Sequence, residues 1–132
     1  MERIDPSHRA PVPHRILLVV ARRLIAEGLE ALFRQQPDWQ AALAGNVEEA
    51  LVCVEQQCPE AAMVDLSLSD GGAFFLFQQL RSRGSKVRVV FLDDSVHPCR
   101  LAAVQSLRAA GYFTLRDSFA SILAGLRQVL AG

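Results

Sequence analysis

Charged side chains follow several short apolar runs of this sequence, where ligand chemistry could take place. Asp65 ends one apolar run and is followed by a loop rich in Ser, Asp and Gly, and Asp93 directly follows another run. Arg22 and Arg23 come just after the first run. Together with Arg116 they form either a basic rim suited to an anionic ligand or an ordinary solvated surface. In a parallel α/β sheet such strand ends form the edge where ligands bind.

Apolar runs alternate with helical patterns five times. The predicted strands are Ile16–Val20, Trp39–Ala44, Ala61–Val64, Val87–Leu92 and Gly111–Leu115. The intervening segments repeat apolar residues every three or four positions, which is typical of helices. Asn46 with Glu49 indicates a capping box, and Ser118 indicates the start of the last helix. The alternation predicts a doubly wound (βα)5 fold with a five-stranded parallel sheet in the flavodoxin-like order 2-1-3-4-5.

The composition indicates one domain. The chain has 132 residues, 51% of them hydrophobic, and a net charge of zero. Residues 1–14 carry three prolines, so we expect a flexible tail there and a domain over residues 15–132. The lack of basic excess argues against direct nucleic-acid binding by this domain. No apolar run is long enough for a membrane span and no signal-peptide pattern is evident, so we expect a cytoplasmic location.

The sequence contains no catalytic motif that we recognise. A dinucleotide-binding glycine pattern, a P-loop and a Ser/His/Asp arrangement are all missing, so we expect neither an enzyme nor a cofactor. The three cysteines, Cys53, Cys58 and Cys99, lack metal-ligand spacing and are expected to be free thiols. His97 precedes Pro98 and is interpreted as a capping or surface residue.

The order and spacing of several segments resemble the receiver domains of two-component response regulators, the CheY-like fold, and in particular receivers of the NarL/FixJ type. The four matching segments are Arg15–Val19, Glu27–Leu29, Pro59–Leu68 and Tyr112–Asp117. The resemblance implies that Asp65 stands at the phosphoacceptor position and Phe113 at the position of the switch aromatic. In the family an acyl phosphate forms on this carboxylate, with Mg²⁺ bound nearby.

The positions around Asp65 depart from the family pattern. Val20 and Ala21 replace the acidic pair that helps to bind Mg²⁺, Asp93 replaces a Ser or Thr, and Arg116 replaces a Lys. We therefore expect no metal site, and Asp65 and Asp93 are only weak candidates for ligands. One hypothesis is that Arg116 bridges Asp65, Asp93 or both, and the other is that it is an ordinary surface cation.

Three functions remain open from the sequence. The first is an atypical receiver of a signalling or transcription regulator that works by protein contact. Its partner would be a second copy or an output domain, bound through the fourth and fifth helices and the fifth strand. The second is a receiver switched by phosphorylation of Asp65, with Mg²⁺ and a histidine kinase as partners. The third is a sensor of an anionic small ligand on the same fold.

Overall fold

The computed structural model describes residues 12–132 of the chain. The elements are β1 (His14–Val19), α1 (Arg23–Arg34), β2 (Trp39–Ala44), α2 (Val47–Gln57), β3 (Ala61–Asp65), α3 (Gly72–Ser82), β4 (Arg88–Asp93), α4 (Pro98–Ser106), β5 (Gly111–Thr114) and α5 (Phe119–Ala131). A single 3₁₀ turn at Ser69–Gly71 leads into α3. The predicted alternation of five strands and five helices is confirmed.

All neighbouring strands pair in parallel, in the order β2-β1-β3-β4-β5. This is the predicted order. Because the chain runs outward from β1 to β2 and then returns to β3, the carboxyl ends of β1 and β3 lie side by side at the point where the strand order reverses. The segments that follow β1, β3 and β4 are therefore brought together at one edge of the sheet.

Two apolar layers enclose the sheet. Alternate residues of β1 face opposite sides, so that Ile16 and Leu18 pack beneath α1 and α5 while Leu17 and Val19 pack beneath α2, α3 and α4. All four of these side chains are at least 99% buried. Burial on both faces explains why the strands read as unbroken apolar runs without alternation.

The starts of α2 and α5 are stabilised by local hydrogen bonds that the sequence predicts. The Asn46 side chain accepts from the backbone N–H of Glu49 at 2.9 Å, and the Glu49 carboxylate accepts from the N–H of Gly45 at 2.8 Å. The reciprocal bond of this capping box thus reaches one residue before the cap. At α5, the Ser118 hydroxyl accepts from the Ser121 N–H at 3.1 Å.

The first strand begins earlier than the sequence predicts. His14 pairs in register with Trp39, and its Nδ1 lies 3.2 Å from a carboxylate oxygen of Glu60. His14 therefore belongs to the sheet and not to the predicted tail at residues 1–14, and residues 1–11 of that prediction lie outside the described part of the chain. Within the described residues, no helix is both long and apolar enough to cross a membrane.

Two helical glycines have opposite surroundings. A Cβ placed on Gly28 in α1 meets nothing within 4 Å, whereas a Cβ on Gly125 in α5 would lie 2.5 Å from the Phe113 ring. We expect Gly28→Ala to raise the free energy of unfolding by about 0.5–1 kcal/mol, because alanine restricts the unfolded chain and favours helix.

Gly125→Ala is the matched comparison. The added methyl must displace the Phe113 ring, and we expect a loss of about 1 kcal/mol because overpacking outweighs helix propensity. Urea unfolding of both variants measures the difference. Equal stabilisation by the two alanines would show that Phe113 does not rest on Gly125.

Candidate functional site

The candidate site lies at the carboxyl ends of β1, β3 and β4. Arg22 follows β1 and occupies the N-cap position of α1, Asp65 is the last residue of β3, and Asp93 is the last residue of β4. Asp65 and Asp93 are 1% and 4% exposed, respectively. Two buried carboxylates on adjacent strands need compensating partners, because an isolated ionised group is costly to remove from water.

Arg22 turns inward and pairs with Asp65 in a two-pronged contact. Its Nη2 lies 3.0 Å from Asp65 Oδ1 and 2.9 Å from Oδ2, and its Nε donates to Oδ2 at 3.1 Å. The backbone N–H of Ser67 donates to Oδ1 at 2.9 Å. Each oxygen of Asp65 therefore accepts two hydrogen bonds, which is the geometry that makes arginine a strong partner for a carboxylate.

The same guanidinium also reaches the segment after β4. Arg22 Nη1 lies 2.8 Å from Oδ1 of Asp94, an exposed side chain. Burial lowers the pKa of Arg22, but its hydrogen bonds to Asp94 and Asp65 and their negative charges outweigh this effect, and the net pKa is raised. Arg22 is therefore a permanent cation that joins three strand ends.

Asp93 has a separate set of partners. Arg100 from α4 donates from Nε to Oδ2 at 2.8 Å and from Nη2 to Oδ1 at 3.1 Å. The Tyr112 hydroxyl from β5 donates to Oδ2 at 2.5 Å, and the N–H of Asp94 donates to Oδ1 at 2.8 Å. The Tyr112 hydroxyl in turn accepts from the N–H of His97 at 3.2 Å. This network ties β4, α4 and β5 to one carboxylate.

The network shifts the pKa values of both of its acids. Burial raises the pKa of Asp93, but hydrogen bonds from Arg100, Tyr112 and the Asp94 backbone outweigh it, so the net pKa lies below the usual range. Burial and the hydrogen bond to Asp93 raise the pKa of Tyr112. Asp93 is consequently an anion at neutral pH and Tyr112 a neutral donor.

The hypothesis that Arg116 bridges the carboxylates is wrong. Arg116 is exposed, and within residues 12–132 the ion pairs of Asp65 and Asp93 are made by Arg22 and Arg100 instead. A turn after β5 explains its position: Asp117 Oδ2 accepts from the Thr114 N–H, and the Thr114 hydroxyl accepts from the Arg116 N–H. Of the two interpretations of Arg22, Arg23 and Arg116, the basic rim is not supported, because Arg22 points inward to Asp65 and Arg23 pairs with Glu27 at the surface.

The assignment of Phe113 as the switch aromatic also needs correction. Phe113 packs in the apolar layer beneath α1 and α5 and lies against Gly125. Tyr112 lies in the opposite layer and contacts Asp93 through its hydroxyl. Adjacent strand residues face opposite sides of a sheet, so the aromatic residue on the Asp93 side is Tyr112.

The residues present do not fit a magnesium ion. Val20 is buried and Ala21 is exposed, and neither side chain offers an oxygen ligand. The one carboxylate that the resemblance places at the metal, Asp65, is held by Arg22. In the described residues no group of three or more His, Cys, Asp or Glu side chains could hold a metal ion. Mg²⁺ normally needs carboxylates and water in octahedral geometry.

Arg100 and Tyr112 are residues of the candidate site that the sequence did not single out, and both donate hydrogen bonds to Asp93. Arg100 lies in the first turn of α4, where His97 caps the helix by accepting from the Arg100 N–H at 3.2 Å. The sequence does contain an indication of this pairing. Arg100 follows Asp93 by seven residues at the start of the next helix, and a long cationic side chain there can reach the Asp93 carboxylate. The prediction that His97 is a capping or surface residue is confirmed, because its side chain caps α4.

Comparisons with known proteins agree on the fold. No protein-family model matches the sequence, and no curated protein matches it. Solved structures of receiver domains do match, with identities too low to show more than the fold.

Three of these structures illustrate the likeness. The signal receiver domain of a protein described as the response regulator NarL from Mycobacterium tuberculosis is 17% identical, with a TM-score of 0.83 over 92% of this chain and 99% of that one. A LuxR-family two-component response regulator from Aurantimonas sp. SI85-9A1 is 21% identical, with a TM-score of 0.82 over 91% and 86%. The BeF3-activated N-terminal receiver domain of RstA from Klebsiella pneumoniae is 18% identical, with a TM-score of 0.81 over 90% and 100%.

The tyrosine titration tests the Asp93 network directly. The sequence has a single tyrosine, so the ultraviolet absorbance of phenolate reports on Tyr112 alone. We expect an apparent pKa above that of free tyrosine, and a fall towards the free value in Asp93→Asn, because the variant removes the negative charge that opposes ionisation.

The control for this titration is Asp70→Asn, at an exposed aspartate of the β3–α3 connection where asparagine tolerates the positive φ. Circular dichroism on the same samples verifies that the chain is folded at each pH. An unchanged tyrosine titration in Asp93→Asn would contradict the contact between Tyr112 and Asp93.

Proposed function

We propose that this chain is a receiver-like signalling domain of a cytoplasmic regulator that acts through protein contacts, without magnesium-dependent phosphorylation of Asp65. The observation that carries the proposal is the Arg22–Asp65 pair. Both carboxylate oxygens accept hydrogen bonds from the guanidinium, at 2.9–3.1 Å. An attacking carboxylate needs a free lone pair directed at phosphorus, and here both oxygens are already engaged.

Charge balance at the site supports the same proposal. In phosphoryl transfer, cations neutralise the charge that develops on the transferred group. Arg22 is already shared between Asp65 and Asp94, and Arg100 is committed to Asp93. A phosphoryl group arriving beside Asp93 would meet an anion where the family resemblance implies a hydroxyl donor.

The surface of α4, β5 and α5 supports the proposed mode of action. Across these three elements the charged residues are Arg100 and Arg127, and each is in an ion pair within the chain, with Asp93 and Asp38 respectively. Ala102, Gln105 and Ala124 are exposed on the two helices. Interface centres are depleted of charged residues, so this neutral surface suits a partner protein.

The structure gives less support to a small-ligand sensor at this site. Four surface grooves have volumes of about 370–410 Å³, and none of the four is lined by Arg22, Asp65 or Asp93. Ligand sites are usually concave and collect a few polar groups. At the carboxyl ends of the strands, the carboxylates of Asp65 and Asp93 are already hydrogen-bonded to Arg22 and Arg100, respectively.

The test of phosphorylation uses the wild-type chain with acetyl phosphate and, separately, with beryllofluoride, each in the presence of Mg²⁺. We expect intact-mass spectra to show no phosphoryl adduct and amide NMR spectra to show no shift around Asp65, because Arg22 holds both oxygens. A receiver domain with the full set of site residues is the positive control.

Asp65→Asn is the matched variant for this test. A stoichiometric adduct on the wild-type chain that disappears in Asp65→Asn would overturn the proposal and establish the phosphorylation-switched receiver. An adduct that persists in the variant would indicate modification at another residue.

The test of the interaction surface measures self-association by sedimentation. We expect a concentration-dependent dimer, and we expect Ala102→Glu or Ala124→Glu to weaken it about tenfold or more, because each places a charge inside the neutral surface. Gln78→Glu, on the exposed side of α3, is the matched control. A dimer that is unaffected by both α4 and α5 substitutions would place the contact elsewhere.

A further inference from the structure

We infer that the outer edge of β2 binds an extended, basic segment of a partner protein as an added strand of the sheet. β2 lies at one end of the sheet, and within residues 12–132 only β1 pairs with it. The inference goes beyond the proposed function, because this edge is at the opposite end of the sheet from β5.

The backbone of β2 presents unpaired groups along this edge. The N–H of Val20 donates to the carbonyl of Ala44 at 3.0 Å, so the backbone of Ala44 faces β1. Backbone groups alternate in direction along a strand of a parallel ladder, and the N–H and C=O groups of Ala41 and Leu43 therefore point away from β1. These are the groups that an added strand would pair with.

β2 lacks the features that usually protect a sheet edge. It is six residues long and contains no charged residue, proline or glycine, whereas β5 at the other edge has only four residues. Leu43 is 37% exposed on this strand. Natural proteins commonly protect such edges with charges, proline or short strands, and an unprotected edge is a template for pairing with another chain.

Two grooves beside β2 can take the alternating side chains of an added strand. The first has a volume of about 390 Å³, and its lining includes Trp39 and Ala41. Its acid Glu30 pairs with Arg34 at 3.2 Å, and Arg15 donates to a backbone carbonyl at the end of α2. This groove therefore suits apolar side chains.

The second groove, beside α2, is acidic. It has a volume of about 410 Å³ and is lined by Leu43, Glu48, Glu49, Val52 and Cys53. α2 contains three glutamates and no lysine or arginine. A lysine or arginine of an added strand can lay its aliphatic stem on the apolar residues of this groove and bring its charge to the carboxylates.

Charge also disfavours a second copy of this chain as the occupant. If two β2 strands paired antiparallel, α2 of one chain would lie beside α2 of the other and bring their glutamates together. Like charges that face each other across an interface oppose binding. A basic segment of another protein has no such cost.

The test titrates the full chain with a capped synthetic peptide of alternating lysine and valine, as long as β2. Trp39 is the single tryptophan of the chain and lines one groove, so its fluorescence reports binding. We expect saturable binding that weakens with added salt, and none of a peptide with glutamate in place of lysine. Amide hydrogen exchange should slow at Ala41 and Leu43 when the lysine peptide binds.

Three variants locate the contact. Ala41→Pro removes an outward N–H without breaking a bond to β1, and we expect about tenfold weaker binding. Glu48→Gln should weaken binding about threefold. Glu27→Gln removes the same charge from α1 outside both grooves, and this matched control should bind as the wild type does. If Ala41→Pro does not fold, Leu43→Lys takes its place, because a cation on the edge opposes a basic strand.

Four results would overturn the inference. They are no binding of the lysine peptide, equal binding of the glutamate peptide, unchanged exchange at Ala41 and Leu43, and full affinity in the folded edge variant. A dimer that sedimentation detects in the wild type and that Ala41→Pro or Leu43→Lys abolishes would show that a second copy occupies the edge, and it too would overturn the inference. The proposed function is tested separately, by the phosphorylation of Asp65 and by Ala102→Glu and Ala124→Glu.

Discussion

The pairing of Arg22 with Asp65 is the interaction on which the carboxyl end of the sheet depends. Asp65 is 1% exposed, and an ionised carboxylate at that depth is stable only when a charge and hydrogen bonds replace its water. Breaking such a pair by removing one partner typically costs about 3–5 kcal/mol when both groups are buried, and less here because the Arg22 side chain is 35% exposed. Any function of this site must therefore be compatible with an Arg22 guanidinium that stays bound to Asp65.

The ion pair of Arg100 with Asp93 compensates the second buried carboxylate at this edge of the sheet. Asp65 and Asp93 end adjacent strands, so two anions face the same edge of the sheet. Each has its own arginine, Arg22 from the β1–α1 junction and Arg100 from α4, and the repulsion between the carboxylates is compensated locally. Because Tyr112 shares Asp93 with Arg100, the second pairing also fixes how α4 and β5 lie against β4.

The sequence predicts the backbone of this protein better than the site. Apolar runs, caps at Asn46 and Ser118, and strand–helix alternation report on local burial and hydrogen bonding, and these determine where the strands and helices lie. Side-chain pairing is a different problem, because an arginine reaches several ångströms in any of many rotamers. Arg22 and Arg116 both follow predicted strands, and the sequence does not show which of them reaches Asp65. In the structure, the turn at Thr114 leaves Arg116 at the surface. The choice between Tyr112 and Phe113 depended on a one-residue register that alternation alone does not determine.

A cation that belongs to the chain, such as Arg22, cannot switch a site between two conformations in the way that a diffusible ion can. A metal ion or phosphoryl group arrives and leaves, so the loops it joins can exist in two states whose populations follow its concentration. Arg22 is part of the chain, so its presence at the strand ends does not depend on the concentration of an ion or of phosphate in the surroundings. Under the proposed function, a change of state must then originate from binding at the neutral surface of α4, β5 and α5. The Arg100–Asp93–Tyr112 network is the structural connection between that surface and the sheet.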